Sequence, residues 1–288
     1  MSTAARKNDT ESKAIINIST VPMRSLFRYP GGKTWLVPTI REWLGKASVS
    51  HLVEPFAGGG IVSLSALAEG RVSKATLIER DPDVAAAWLT ILDEPGWLIE
   101  RIRDFRMTPE NINAVLSRKP LTQAERGFQT LLRNRTNYGG ILRQGAGRLK
   151  AGENGKGLSS RWYPETMVRR IEDIMRYRDR LAFHEGDAFD FLTEAWDQGD
   201  TYFFIDPPYT KQGKKLYTYS DIDHEALIQR IASLEGHYLV TYDKSDYIEK
   251  LAERYHLPSR VIPMRTNHHV QKEEILLSDD FGWLDQRG

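Results

Sequence analysis

Between His51 and Leu92 the chain spells out half of a nucleotide-binding sheet. His51 to Glu54 reads as a strand, Pro55-Phe-Ala-Gly-Gly-Gly60 as a loop and Ile61 to Glu69 as a helix. Ala75 to Glu79 is a second apolar run that ends in an acid, and Asp83 to Leu92 a second helix. Strand, glycine loop, helix, strand, acid, helix is the first half of an open parallel α/β sheet. Glycines in the loop let backbone and helix N-terminus approach a ligand. Glu79, nineteen residues after Gly60, stands where an acid binds ribose hydroxyls.

The alternation stops near residue 93 and resumes at Leu181 to His184, followed by Gly-Asp187. Strand 201–205, helix Asp223 to Leu234 with Asp223 as its N-cap, strand 237–242, helix 245–255 and strands near 259–264 and 273–279 complete the pattern. Before the first strand, a helix runs through Trp35, Leu36, Ile40 and Leu44, and Pro38 should kink or restart it. Ala14 to Thr20 has the composition of a short strand. The fold expected is a Rossmann-like α/β sheet, built by residues 23–92 and 181–288. A helical, loop-rich insertion over 93–180 separates the halves, and residues 1–22 form a polar tail, disordered to about residue 12. The insertion holds a glycine-rich loop from Gly139 to Gly157 and a helix from Pro164 to Arg180.

At 288 residues this is one large domain or one domain with an insertion. The net charge is only +1, but Arg133 to Arg180 carries 12 Lys and Arg against 5 Asp and Glu, a balance that suits a phosphate backbone. No stretch reaches the roughly 18–20 apolar residues of a membrane span, and no signal-peptide core is visible, so a cytoplasmic protein is expected. The chain has no cysteine. Disulfides, thiolate metal sites and cysteine nucleophiles are therefore excluded. His268-His269 has no partner at a ligand spacing, and no metal site is expected.

The strand Thr201 to Ile205 ends in Asp206-Pro207-Pro208-Tyr209. The prolines have fixed φ and no N–H, so the strand stops and the nearby carbonyls are free to accept. A carboxylate, rigid carbonyls and an aromatic face suit a planar amine such as adenine. Tyr217 and Tyr219, near Lys214 and Lys215, stand either in a packed loop or at the mouth of such a pocket.

Gly31-Gly-Lys-Thr34 lacks the first glycine of a phosphate loop, because position 27 is Phe. The loop at 58–63 lacks the last glycine of a dinucleotide fingerprint. S-adenosylmethionine fits better. Its ribose would lie on Glu79, and its carboxylate on the cation and amides of Tyr29-Pro-Gly-Gly-Lys33. The acceptor is then an exocyclic amine, attacking in line without a covalent enzyme intermediate. Methylation at cytosine carbon 5 needs a cysteine and is excluded. A base in a duplex must leave the stack to reach such a pocket. The residues alone leave cytosine's N4 amine and RNA open as substrates, and, further off, an inactive nucleic-acid-binding protein.

These motifs resemble the Dam-type family of DNA adenine methyltransferases. Tyr29-Pro-Gly-Gly-Lys33 is similar to the family's N-terminal cofactor motif, Val53-Glu-Pro-Phe-Ala-Gly-Gly-Gly60 to its main cofactor loop, and Asp206-Pro-Pro-Tyr209 to its catalytic tetrad, in the family's order. The resemblance implies that Tyr29, Gly32, Lys33, Phe56, Gly58, Glu79 and Asp187 meet S-adenosylmethionine, and that Asp206, Pro207, Pro208 and Tyr209 hold a flipped adenine. It implies double-stranded DNA as the substrate and action as a monomer, with any cognate restriction endonuclease acting separately. Asn134-Arg-Thr-Asn-Tyr138-Gly-Gly-Ile-Leu-Arg143 resembles the segment leading to the DNA-reading hairpin. Tyr138 and Arg143 fall where the family contacts DNA, and Arg135 lies in the same segment; by their charge Arg143, Arg148, Lys150 and Arg161 are either phosphate contacts or surface charges. Members that read GATC usually carry Asn after that tyrosine, whereas this chain has Gly139, so a different recognition sequence is expected.

Overall fold

A computed structural model describes residues 21–28, 32–45, 49–143, 145–149, 155, 157–192, 200–209, 219, 221–265 and 271–285. The expected strand at Ala14 to Thr20, Tyr29, Lys150, Lys214, Lys215, Tyr217 and the His268-His269 pair lie outside the described residues.

The strands are β1 (Val49–Glu54), β2 (Val72–Glu79), β3 (Leu181–Glu185), β4 (Thr201–Ile205), β5 (His237–Asp243), β6 (Ser259–Arg265) and β7 (Gln271–Ser278). They form one sheet in the order β3-β2-β1-β4-β5-β7-β6. β1 to β5 are parallel, and β7 runs antiparallel between β5 and β6. The chain starts in the middle, builds outward to β3, then crosses back to β4 on the other side of β1. That reversal opens a crevice at the carboxyl ends of β1 and β4, where ligands of such sheets bind. This is the Rossmann-like fold expected from the sequence.

Alternation along the strands sorts their side chains onto two covered faces, as a parallel sheet requires. Leu52, Leu77, Phe204, Leu239 and Leu276 join one apolar cluster. Val53, Ile78, Phe203, Ile205, Val240 and Leu277 join the other, with Leu227, Ile228 and Ile231 of helix His224–Ala232 and Ile248 and Leu251 of helix Asp246–Arg254. Asp223 caps the first of these helices by accepting from the Ala226 N–H at 3.0 Å.

On the first face lie α1 (Val37–Trp43), α2 (Ile61–Ala68) and α3 (Pro82–Asp93), then α4 (Pro95–Asp104), α5 (Pro109–Leu116), α6 (Gln123–Thr136) and α7 (Pro164–Met175). Pro38 sits in the first turn of α1, which restarts after a 3₁₀ turn at Lys33–Leu36. α7 ends at Met175, short of the expected Arg180, and a 3₁₀ turn Arg178–Arg180 leads into β3. Residues 176–180 offer no apolar stripe to hold a helix on the core.

The 93–180 segment shares the core of the sheet: Phe128, Leu131, Met167 and Ile171 belong to the same cluster as Leu52 and Leu77. α6 packs closely on α3. A Cβ at Gly127 would lie 2.3 Å from Thr90 Oγ1 and 2.7 Å from the Ala86 carbonyl oxygen. Among the described residues, no helix is long and apolar enough to cross a membrane.

Candidate active site

β1, β2 and β4 deliver Glu54, Glu79 and Asp206 at or just beyond their carboxyl ends, around the crevice. After β1 the chain turns through the glycine loop. Gly58 and Gly60 take left-handed φ of +48° and +61°, which glycine adopts without cost. Gly60 is also fixed by space, since a Cβ there would lie 2.8 Å from the Trp88 ring. Trp88 of α3 supports the loop from below, its indole N–H donating to the Gly58 carbonyl at 2.8 Å.

Glu54 is buried, and one of its oxygens accepts from the Ser63 N–H at 3.0 Å and the Ser63 hydroxyl at 2.5 Å. It ties β1 to the first turn of α2. Burial pushes its carboxyl up to about 8 against the two Ser63 donors, and nearby Asp206 adds to the rise. Glu79 accepts from the Gly58 N–H at 2.9 Å and the Asp81 N–H at 2.8 Å. Burial pushes it up to about 7. A third backbone N–H, that of Arg80, also bonds to it, and the carboxylate keeps acceptor capacity for a further donor. Phe56 is half-buried beside the loop and packs on the second apolar cluster. Gly32 directly precedes the 3₁₀ turn. Asp187 caps the short helix Ala188–Phe191 and pairs with Arg80 at 3.1 Å.

The tetrad is anchored from three sides. Asp206 Oδ1 accepts from the Thr241 hydroxyl of β5 at 2.7 Å. The same oxygen lies 2.9 Å from Lys33 Nζ. The Tyr209 hydroxyl lies 2.5 Å from Lys33 Nζ and donates to Glu274 Oε1 of β7 at 2.9 Å. Pro207 is buried and Pro208 half-buried. The sequence reading expects Lys33 at the cofactor carboxylate; in the structure its ammonium, in a side chain only 4% exposed, lies on Asp206 and Tyr209.

Thr241, Glu274 and Trp88 escape the sequence reading. Glu274 carries a signal after the fact: a carboxylate beside Ile275, Leu276 and Leu277 in a buried strand is rare without a partner. Thr241 and Trp88 carry none, because a threonine in a strand and a tryptophan in a helix fit ordinary core positions.

The expected DNA contacts divide. Tyr138 is 69% exposed, and Arg143 and Arg148 are exposed. All three lie on a loop closed by the Tyr138 N–H donating to the Gly147 carbonyl at 2.8 Å and an Asn137–Arg148 bridge. The Arg148 guanidinium donates to Asn113 Oδ1. Arg135 and Arg161 require correction. They are only 3% and 8% exposed, and their guanidinium groups donate to the carbonyls of Leu26 and Asn137, the latter at 2.9 Å. Burial, with Arg170, Arg28 and Arg161 nearby, lowers Arg135 to about 9. Both side chains hold the backbone together, and neither offers a surface to phosphate.

A comparison with curated proteins finds no match. Among solved structures, an rRNA methyltransferase, aviRa, from Streptomyces viridochromogenes is similar with a TM-score of 0.41 and 13% identity, over 87% of this chain and 86% of that one. Precorrin-6y C5,15-methyltransferase from Geobacter metallireducens GS-15 is similar with a TM-score of 0.37 and 11% identity, over 85% and 87%. Likenesses this distant add nothing to what the strand order itself gives. The family model for D12 class N6 adenine-specific DNA methyltransferases matches residues 29–262, which include the glycine loop, Glu79 and the whole tetrad. The chain therefore belongs to that family, and is an adenine-specific DNA methyltransferase that uses S-adenosylmethionine.

Proposed function

We propose that this enzyme methylates the N6 amine of an adenine turned out of a DNA duplex, within a short sequence met by the 93–180 segment. The observation that carries the reading is the convergence of the Gly58–Gly60 loop, Glu79 and Asp206 on one crevice at the strand reversal.

The crevice fits the cofactor in its chemistry. Glu79, already fixed by the backbone N–H groups of Gly58, Arg80 and Asp81, keeps acceptor capacity for ribose hydroxyls, and the glycine loop gives backbone access beside it. Gly32, Phe56 and Asp187 would complete that side, with Tyr29 just ahead of the turn. S-adenosylmethionine supplies an electrophilic methyl group on a sulfonium.

The chain's own residues prepare the amine. Adenine's amino lone pair is delocalised into the ring, which makes it a weak nucleophile. Asp206 and the Pro207 carbonyl accept from its two hydrogens and draw the lone pair out of conjugation. The nitrogen would then take the methyl group that the sulfonium supplies, the carbon–sulfur bonding pair passing to sulfur, with the surplus amine proton leaving towards Asp206. Tyr209 stacks on the base, and Pro208 fixes the turn that presents it. Positioning and electrostatics do the work. Asp206 is recessed, its side chain 24% exposed, which supports an adenine turned out of the stack as the form that reaches it. Tyr138 and Arg143, with Arg148, supply the surface that meets DNA.

The test is expression in a methylation-free host, followed by sequencing that reports modified bases. N6-methyladenine at one short motif supports the reading. N4-methylcytosine, or methylation confined to RNA, contradicts it.

A further inference from the structure

Glu274 lies in β7 and is 3% exposed, with Ile275, Leu276, Leu277 and Ser278 buried after it. Its Oε1 accepts from the Tyr209 hydroxyl at 2.9 Å and lies 3.8 Å from Lys33 Nζ. Its Oε2 is buried with no hydrogen-bond partner among the described residues. A buried carboxylate with one oxygen unsatisfied is costly and calls for an explanation. The groups that face it are Lys33 from the turn before α1, Asp206 and Tyr209 from the end of β4, and Asp243, its register partner on β5.

Two carboxylates therefore share one ammonium. Lys33 now favours Asp206, whose Oδ1 also takes the Thr241 hydroxyl. In that arrangement Asp206 Oδ1 already takes two donors, so an adenine amine that uses this oxygen has to displace one of them. Lys33 has somewhere else to go. It is bonded to the Tyr209 hydroxyl at 2.5 Å, and that hydroxyl is bonded to Glu274. Moving from Asp206 towards Glu274 keeps the tyrosine bond throughout. It needs only to close a 3.8 Å gap to the roughly 2.8 Å of a charge-assisted hydrogen bond.

We propose that Glu274 is a positioning residue of the methyl-transfer centre: it holds Tyr209 by its hydroxyl and gives Lys33 a second anchor, so that Lys33 leaves Asp206 when the adenine amine arrives. This rests on the assignment of Asp206 and Tyr209 to the adenine pocket. Burial pushes Glu274 up to about 7, with Asp206 and Asp243 adding to the rise and Lys33 and Tyr209 opposing it. The anchor is thus charged above that pH and neutral below it.

The experiment measures methyl transfer to DNA against pH for the wild-type protein, Glu274→Gln, Glu274→Asp, Lys33→Met and the Lys33→Met/Glu274→Gln double variant, with cofactor affinity by calorimetry. Glu274→Gln keeps an acceptor for Tyr209 but loses the charge. Its kcat should fall roughly ten- to hundred-fold, its cofactor affinity should stay at the wild-type value, and the rise of kcat with pH near neutrality should vanish. Glu274→Asp should recover part of both the rate and the rise. In the Lys33→Met background, Glu274→Gln should cost little more, because the ammonium it steers is gone. A wild-type rate and pH profile in Glu274→Gln, or an undiminished effect without Lys33, would overturn the proposal. Should Glu274→Gln fail to fold, Glu274→Asp carries the comparison, and a pH profile in it identical to wild type overturns the proposal equally. If the wild-type protein itself leaves no N6-methyladenine, the adenine pocket falls and this proposal with it.

Discussion

Lys33 Nζ lies 2.9 Å from Asp206 Oδ1, which joins the turn before α1 to the end of β4 across the crevice. The lysine side chain is 4% exposed and the aspartate 24%, so solvent screens the pair weakly. Removing the ammonium would leave Asp206 and Glu274 close together without a counter-charge. Lys33→Met should therefore cost about 3 kcal/mol of folding stability, read from urea denaturation, and should also slow methyl transfer without abolishing it. Unchanged stability would mean that solvent already satisfies the two carboxylates.

Arg135 and Arg143, close in sequence, should fail in different ways. Arg135 is buried against the Leu26 carbonyl, so Arg135→Ala should lower the melting temperature by several degrees, equivalent to about 2–4 kcal/mol. Arg143 is exposed on the loop, so Arg143→Ala should leave the melting temperature unchanged. It should weaken DNA binding and reduce the salt slope of the affinity by about 0.9 if it meets one phosphate. The reverse pattern would restore Arg135 to the DNA interface.

Two adjacent glycines give a second contrast. Gly139 and Gly140 both have left-handed φ, +62° and +78°. A Cβ at Gly140 would lie 2.1 Å from the Arg28 carbonyl oxygen, where Asn134 already bonds both that oxygen and the Gly140 carbonyl. Gly140→Ala should destabilise the protein by about 2 kcal/mol or more and loosen the loop that carries Tyr138. Asparagine tolerates this φ, so Gly139→Asn should fold with a change of less than about 1 kcal/mol. Thermal denaturation of the two variants checks both.

Glu54 links stability to pH. Its folded value of about 8 exceeds the ordinary 4.5, so the folded state holds the proton more tightly than the unfolded one. The stabilisation is complete below about 4.5 and is lost as pH rises through about 8. Ligand-free protein should thus become less stable between about pH 4.5 and 8, by up to a few kcal/mol. Glu54→Gln, which keeps an acceptor for the Ser63 donors, should flatten that part of the curve. A wild-type slope in Glu54→Gln would assign the effect to Glu79 or Glu274, which shift in the same direction.

The sheet was legible because its signals are local. Alternating apolar runs, a glycine loop and acids at strand ends can each be read within a dozen residues. The crossing order could not be read that way, since pairing of β1 with β4 and of β5 with β7 depends on contacts far apart in sequence. The site divides along the same line. Glu79 and Asp206 announce themselves by position at strand ends. Thr241 and Glu274 matter only because β5 and β7 bring them beside Asp206 and Tyr209. The arginines misled for a related reason: charge is visible in sequence, whereas the burial that turns Arg135 and Arg161 inward comes from the packing of α6 and the segment before α7.

Asp206 is the residue on which the account turns. Its most direct test is nucleoside analysis of DNA methylated by the wild-type protein and by Asp206→Ala, with cofactor affinity measured by calorimetry. The account predicts N6-methyladenine from the wild-type protein, none above background from Asp206→Ala, and cofactor binding within a few-fold in both. Near-wild-type N6-methyladenine from Asp206→Ala would contradict it.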